Sequence, residues 1–228
     1  MSPRLSAIAT VVTGLAALSI FVAFTMLPEA KAATQCLAAG SVVQFELARN
    51  AADLAAIFGA PGSACHPLAI ASMDAVNTLD IHAFIPTYTL FCVCAALFLA
   101  GGEVRRPFAI AAVLAALLAL AGDYLETLTL LKLTHALDAP ETLLPMSQLG
   151  AWSKFSMLAV HALCCAGLCF TMQKRRVILG VLLLLPAPGV AIAAFDHIRF
   201  ADLMNAALAI AWIALIVMAV VELFRKSA

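Results

Sequence analysis

Apolar residues fall along this chain in long unbroken runs parted by short polar stretches, without the period-2 alternation of a barrel strand. A helix needs about 20 mostly apolar residues to cross a hydrocarbon core roughly 30 Å thick, at about 1.5 Å per residue. Six stretches meet that requirement: Ala7 to Leu27, Leu79 to Ala100, Phe108 to Leu133, Gly150 to Met172, Val177 to Phe195, and Leu203 to Phe224. The pattern predicts an all-α polytopic membrane helix bundle of six transmembrane helices, a single membrane domain over residues 1–228. Pro186 and Pro188 fall inside the fifth stretch and predict a break there.

Between the first two spans, Pro28 to Thr78 is too polar to insert and too long for a simple hairpin. Val43, Leu47, Leu54 and Phe58 recur at helical intervals, with Gln44, Glu46, Arg49, Asn50 and Asp53 interleaved. That spacing predicts one or two helices lying on the membrane surface or over the bundle, an extracytoplasmic cap within residues 28–78. Ala60-Pro61-Gly62-Ser63 ends the pattern. Cys36 and Cys65 flank this segment, and a disulfide between them is compatible with an oxidising outer compartment, although their spacing alone does not pair them. Cys92, Cys94, Cys164, Cys165 and Cys169 lie within spans and read as small apolar residues, with no C-x-x-C pair or zinc spacing among them.

Composition narrows the class further. With 64% hydrophobic residues, 11% charged residues and a mean hydropathy of +1.06, the chain fits neither a soluble fold nor a disordered one. A formal net charge of zero argues against a nucleic-acid partner. Arg4, Arg105, Arg106, Lys174, Arg175, Arg176, Arg225 and Lys226 fall at alternate span ends, which places both termini in the cytoplasm by the positive-inside rule. Of the 13 acidic residues, only Glu103 and Glu222 share that side. The resulting expectation is a multi-pass protein of a bacterial inner membrane, with membrane lipid around it. The first span reads as retained. Its apolar run exceeds the about 7 to 15 residues of a signal-peptide core, whereas cleavage near Ala30-Lys31-Ala32 would leave five spans.

Ionisable residues inside spans cost about 2.5–3.5 kcal/mol each on insertion scales, and they usually face a partner or a cavity. Asp80 and His82 open the second span, and Asp123 and Glu126 lie in the outer part of the third. These two acids are spaced i, i+3, so both carboxylates project from one face with Thr127 adjacent. Lys154 lies near the outer end of the fourth span, with His161 two turns further in on the same face. Because the third and fourth spans are consecutive and antiparallel, the acids and Lys154 reach similar depth. Asp196, His197, Arg199, Asp202 and Asn205 add polar groups at the same outer level.

This convergence predicts a polar pocket in the outer third of the bilayer, open to the periplasm or the outer leaflet. Asp123, Glu126 and Lys154 are the candidate catalytic set, and Asp80, His82, Tyr88, Thr127, His161, Asp196 and His197 are candidate binding residues. Plainer readings stand beside these. Span-end charges can be wet interfacial residues, the Asp123, Glu126 and Lys154 set can be a structural ion-pair network, and His161 can be a hydrogen-bonded core residue.

At Leu79-Asp80, Gly122-Asp123-Tyr124-Leu125-Glu126 and Ser153-Lys154 the chain resembles a family of bacterial six-span membrane proteins. That family has an outer helix after the first span, Leu-Asp opening the second with a Tyr following, Asp-x-x-Glu-Asn in the third, and Lys in the fourth. The resemblance covers roughly Val42 to His161, makes Tyr88 the counterpart of the Tyr, and breaks at Thr127, where Asn would stand. It brings no activity with it.

Three functions remain open at this level. In an intramembrane enzyme acting on a lipid or lipid-linked substrate, Asp123 or Glu126 would be general acid or base and Lys154 would hold an anionic group. In a carrier, the same residues would exchange protons or bind solute. In a non-catalytic subunit or assembly factor, the outer segment would dock a partner. A metal variant would draw on Asp80, His82 and His66 or His197, yet the spacing matches neither H-E-x-x-H nor a zinc motif, so no metal and no cofactor is assigned. Self-association or a membrane-protein partner is compatible with each function.

Overall fold

The computed structural model describes residues 3–34, 42–101, 106–171 and 176–225. Six helices are long and apolar enough to cross a membrane, so the chain is a multi-pass, all-α membrane bundle. The first is α1 (Pro3–Met26), followed by the short α2 (Pro28–Ala33). Two short helices follow, α3 (Val42–Glu46) and α4 (Ala51–Phe58), which together form a cap on the bundle.

The second span departs from expectation. It begins at Cys65 instead of Leu79 and runs as α5 (Cys65–Leu79), a π-helical turn (Asp80–Phe84) and α6 (Ile85–Ala100). These 36 residues extend on the order of 54 Å at about 1.5 Å per residue, well beyond a core of roughly 30 Å. Asp80 and His82 therefore sit in the middle of a continuous helix, and Ala69 and Met73 of α5 pack against the cap. Pro86 accounts for the π turn. In an α register its ring would clash with the carbonyl of His82. The turn instead bonds the Ile85 N–H to the Asp80 carbonyl, five residues back. Pro86 then stands opposite Ile81, whose carbonyl would be orphaned, and the Tyr124 hydroxyl donates to it at 3.2 Å.

The third and fourth spans are α7 (Arg106–Leu133) and α8 (Leu144–Thr171), so α8 starts six residues before the expected Gly150. The fifth is broken, as its prolines predict, into α9 (Val177–Leu182) and α10 (Pro186–Phe195). The sixth, α11 (His197–Phe224), also begins further out than Leu203.

Small residues set the helix spacing, as befits packing without a strong hydrophobic drive in lipid. Ala112, Ala116 and Ala119 of α7 and Ala151, Ala162 and Ala166 of α8 are buried, while Ile110, Leu114, Leu117 and Leu118 face outward. A second apolar cluster holds the cap, with Phe45, Leu54 and Phe58 packed with Met73, Leu130, Leu133 and Leu144. Phe45 and Phe58 meet edge to face at 4.9 Å. Asn50 caps α4 by accepting from the Asp53 N–H at 2.9 Å. Polar ties then pin the cap to the bundle. Arg49 donates to the Ala194 carbonyl, Gln44 to that of Ile198, and Gln148 reaches from α8 to that of Ala48. Cys65 is disulfide-bonded, whereas Cys36 lies outside the described residues.

Candidate functional site

The site is built on the crossing of α7 and α8. A Cβ on Gly150 would lie 2.5 Å from the Glu126 nitrogen and 2.7 Å from the Gly122 carbonyl, and one on Gly122 would lie 2.9 Å from the Lys154 nitrogen. Only two glycines let the backbones approach this closely. Glu126 follows Gly122 by four residues and Lys154 follows Gly150 by four, so each charged side chain lies one turn from the crossing. Asp123 is ten residues from the outer end of α7 and Lys154 ten from that of α8, which equalises their depth.

Lys154 meets three carboxylates. Its Nζ lies 2.6 Å from Glu126 Oε2, 3.1 Å from Glu46 Oε2 and 3.2 Å from Asp123 Oδ1. It also sits 4.7 Å from the centre of the Phe155 ring. Asp123 accepts from the Tyr88 hydroxyl at 2.7 Å through its other oxygen. The Thr127 hydroxyl donates to Asp80 at 3.0 Å, with Asp123 Oδ1 at 3.4 Å. The Tyr88 ring stacks on Trp212 at 5.5 Å, tying the cluster to the sixth span.

Asp80, Tyr88, Asp123, Glu126, Thr127 and Lys154 thus come together as a single network. Glu46 joins them, although its sequence setting is that of one more polar residue on an amphipathic cap. Its neighbours in the sequence are ordinary for a surface segment, and only its place one residue after the buried Phe45 hints at an inward turn.

The network is closed rather than open. Relative exposure is 9% for Glu46, 8% for Asp80, 2% for Asp123, 0% for Glu126 and 5% for Lys154, which replaces the expected pocket open to the outside with a site roofed by α3. Four carboxylates and one ammonium leave three negative charges in excess, a balance that burial opposes unless protons or cations supply the remainder. Outside the spanning helices, burial pushes the Glu46 carboxyl above its ordinary value; the Lys154 charge works against this and that of Asp123 adds to it. Donors are also spent. The ammonium is shared among three acids, the Tyr88 hydroxyl serves Asp123 and the Thr127 hydroxyl serves Asp80, while Glu126 Oε1 is buried with no hydrogen-bond partner. Asn77 Nδ2, one turn outward on α5, is likewise buried and unpartnered.

The remaining candidates lie elsewhere. His82 is exposed, with its Nδ1 2.8 Å from the Thr78 carbonyl of its own helix. His161 is buried, with Nε2 3.0 Å from the Cys92 carbonyl and 3.6 Å from Cys165 Sγ, as a core histidine would be. Asp196 caps α11 by accepting from the Arg199 N–H at 3.0 Å. His197 lies 3.0 Å from Asp53 Oδ2 and latches α11 to the cap. Partial burial pushes Asp53 up, but the Arg49 N–H and the His197 ring outweigh it and hold the carboxyl below its ordinary value. His66 contacts the Phe58 carbonyl. Among the described residues, no group of three or more His, Cys, Asp or Glu is arranged to hold a metal ion. In comparison with known proteins, no family model matches this chain, and no curated protein or solved structure matches it.

Proposed function

We propose that this is a small-molecule-binding protein of a bacterial inner membrane, with cytoplasmic termini and a site served from the extracytoplasmic side beneath the α3–α4 cap. One observation carries the reading. Carboxylates from α3 and α7 converge on Lys154 of α8, and Asp80 of the π turn joins them through Thr127, so four acids share a buried cluster with a single ammonium. A staple whose only task was to hold helices together would be better served by matched charges or by apolar packing of the same volume. An enzyme using Lys154 to seat an anionic headgroup is less well supported, because three carboxylates already share that ammonium. Asp123, with Tyr88 and Lys154 both upon it, has little freedom to act as a general base.

Native mass spectrometry of the purified full chain, beside a Glu126→Gln variant prepared identically, tests the proposal. The expected result is a small molecule that co-purifies with the parent protein and is missing from a variant that remains folded and monodisperse. If the parent carries none, or the folded variant carries as much, a structural network is the better account.

A further inference from the structure

We infer that the cluster receives a small primary ammonium compound, with Glu126 Oε1 as its first acceptor and Glu46 as the carboxylate that closes over it. This deepens, and rests on, the reading of the cluster as a small-solute site. The donor and acceptor inventory selects the chemistry. Every N–H or O–H of Lys154, Tyr88 and Thr127 already faces a carboxylate, so around Lys154 an entering group meets acceptors, and the unpartnered donor Asn77 Nδ2 lies a turn further along α5. Phosphate or carboxylate ligands would meet uncompensated negative charge there. Glu126 is wholly buried in this network, and its Oε1 has no partner of its own. Lys154 supplies the template, since its ammonium rests among three carboxylates at 2.6–3.2 Å, the contacts a second primary ammonium would seek.

Access follows from which element carries each acid. Asp80, Asp123 and Glu126 sit on spanning helices, whereas Glu46 arrives on α3. Displacing the cap therefore uncovers the cluster without parting α7 from α8. Among the described residues its polar attachments include Glu46 with Lys154, Asp53 with His197, Arg49 with the Ala194 carbonyl and over the Trp152 ring, Gln44 with the Ile198 carbonyl, Gln148 with that of Ala48, and His66 with that of Phe58.

The test is thermal unfolding of the purified full chain in detergent, titrated with methylammonium chloride, tetramethylammonium chloride, sodium chloride or sodium phosphate at matched ionic strength. Methylammonium should raise the midpoint saturably. Tetramethylammonium, with the same charge and no N–H, should do no more than sodium chloride. The response should vanish in Glu126→Gln and require at least about tenfold more methylammonium in Glu46→Gln, the loss expected for one charged hydrogen bond. Equal responses to the two ammonium salts overturn the inference, as does an undiminished response in a folded Glu126→Gln protein. Should both variants fail to fold, the contrast between the two salts on the parent chain decides alone. A flat response together with a co-purified solute lacking N–H cations sinks this inference and leaves the small-solute reading standing. Stabilisation by phosphate alone, with nothing co-purified, removes both.

Discussion

At the scale of single residues, the cluster is asymmetric in what each member's loss would leave behind. Lys154→Met strands three carboxylates, two of them almost fully buried, with no ammonium between them. Removing one partner of a buried ion network costs about 3–5 kcal/mol, so this variant should unfold well below the parent protein or fail to accumulate. Glu126→Gln removes the shortest contact to Lys154 but keeps the shape and an oxygen that can accept from the ammonium, so it should cost about 1–3 kcal/mol, less than Lys154→Met. Thermal unfolding in a common detergent compares them, and a Lys154→Met protein as stable as Glu126→Gln would mean that Lys154 is not the counter-ion. Asp123, Glu126 and Lys154 are legible in the sequence because a charge in an apolar run has an obvious cost. Glu46 is not, since in a polar segment a carboxylate is unremarkable and only the packing of Phe45 turns it inward. His161 shows the converse. It has the same costly position, yet the Cys92 carbonyl engages it within the core.

At the scale of elements, the α7–α8 crossing and the cap can be tested separately. In Gly150→Ala the new Cβ meets backbone, not a flexible side-chain end, so the helices must part. Overpacking of this kind costs about 1–3 kcal/mol. Because the same separation lengthens the Lys154–Glu126 pair, Gly150→Ala and Glu126→Gln should be non-additive in a double-mutant cycle, and simple additivity would uncouple crossing from cluster. The cap should respond to pH in two directions. Glu46, raised in the folded state, contributes fully below its ordinary value of 4.5, and that contribution is lost as pH climbs through the raised one. Asp53, lowered in the folded state, contributes above its ordinary value of 3.8 and loses this as pH falls through the lowered one. Hydrogen-exchange protection factors for residues 42–58 should therefore decline as pH rises above about 4.5, and the decline should flatten in Glu46→Gln. A parent protein with no such decline would detach Glu46 from cap closure. Hydropathy locates the spans at lipid level but not their full lengths. Asp74, Asn77 and Asp80 dilute the apolar signal of α5, although its backbone continues unbroken from Cys65. Pro86 is visible in the sequence, but its consequence depends on Tyr124, 38 residues later, reaching the Ile81 carbonyl.

Across the whole molecule, charge is polarised along the bundle axis. At one end Arg176 pairs with Glu222 at 2.9 Å and lies over the Phe98 ring at 5.1 Å, while Arg225 pairs with Glu222 at 3.3 Å. One end each of α6, α9 and α11 is thereby gathered at a basic pole. The carboxylate cluster and the cap occupy the other half. Two independent arguments give this polarity a direction. Basic residues are retained on the cytoplasmic side during insertion, and the disulfide at Cys65, beside the cap, belongs in an oxidising compartment. Both support the proposed placement of the cap outside, so a fluorescent protein fused after Arg225 should mature and emit, while alkaline phosphatase inserted after Asp138, between α7 and α8, should be active. The reverse pattern would place Lys154 and its carboxylates toward the cytoplasm and the Cys65 disulfide in a reducing milieu. It would thus overturn the direction from which a solute reaches the site while leaving the distances within the cluster untouched.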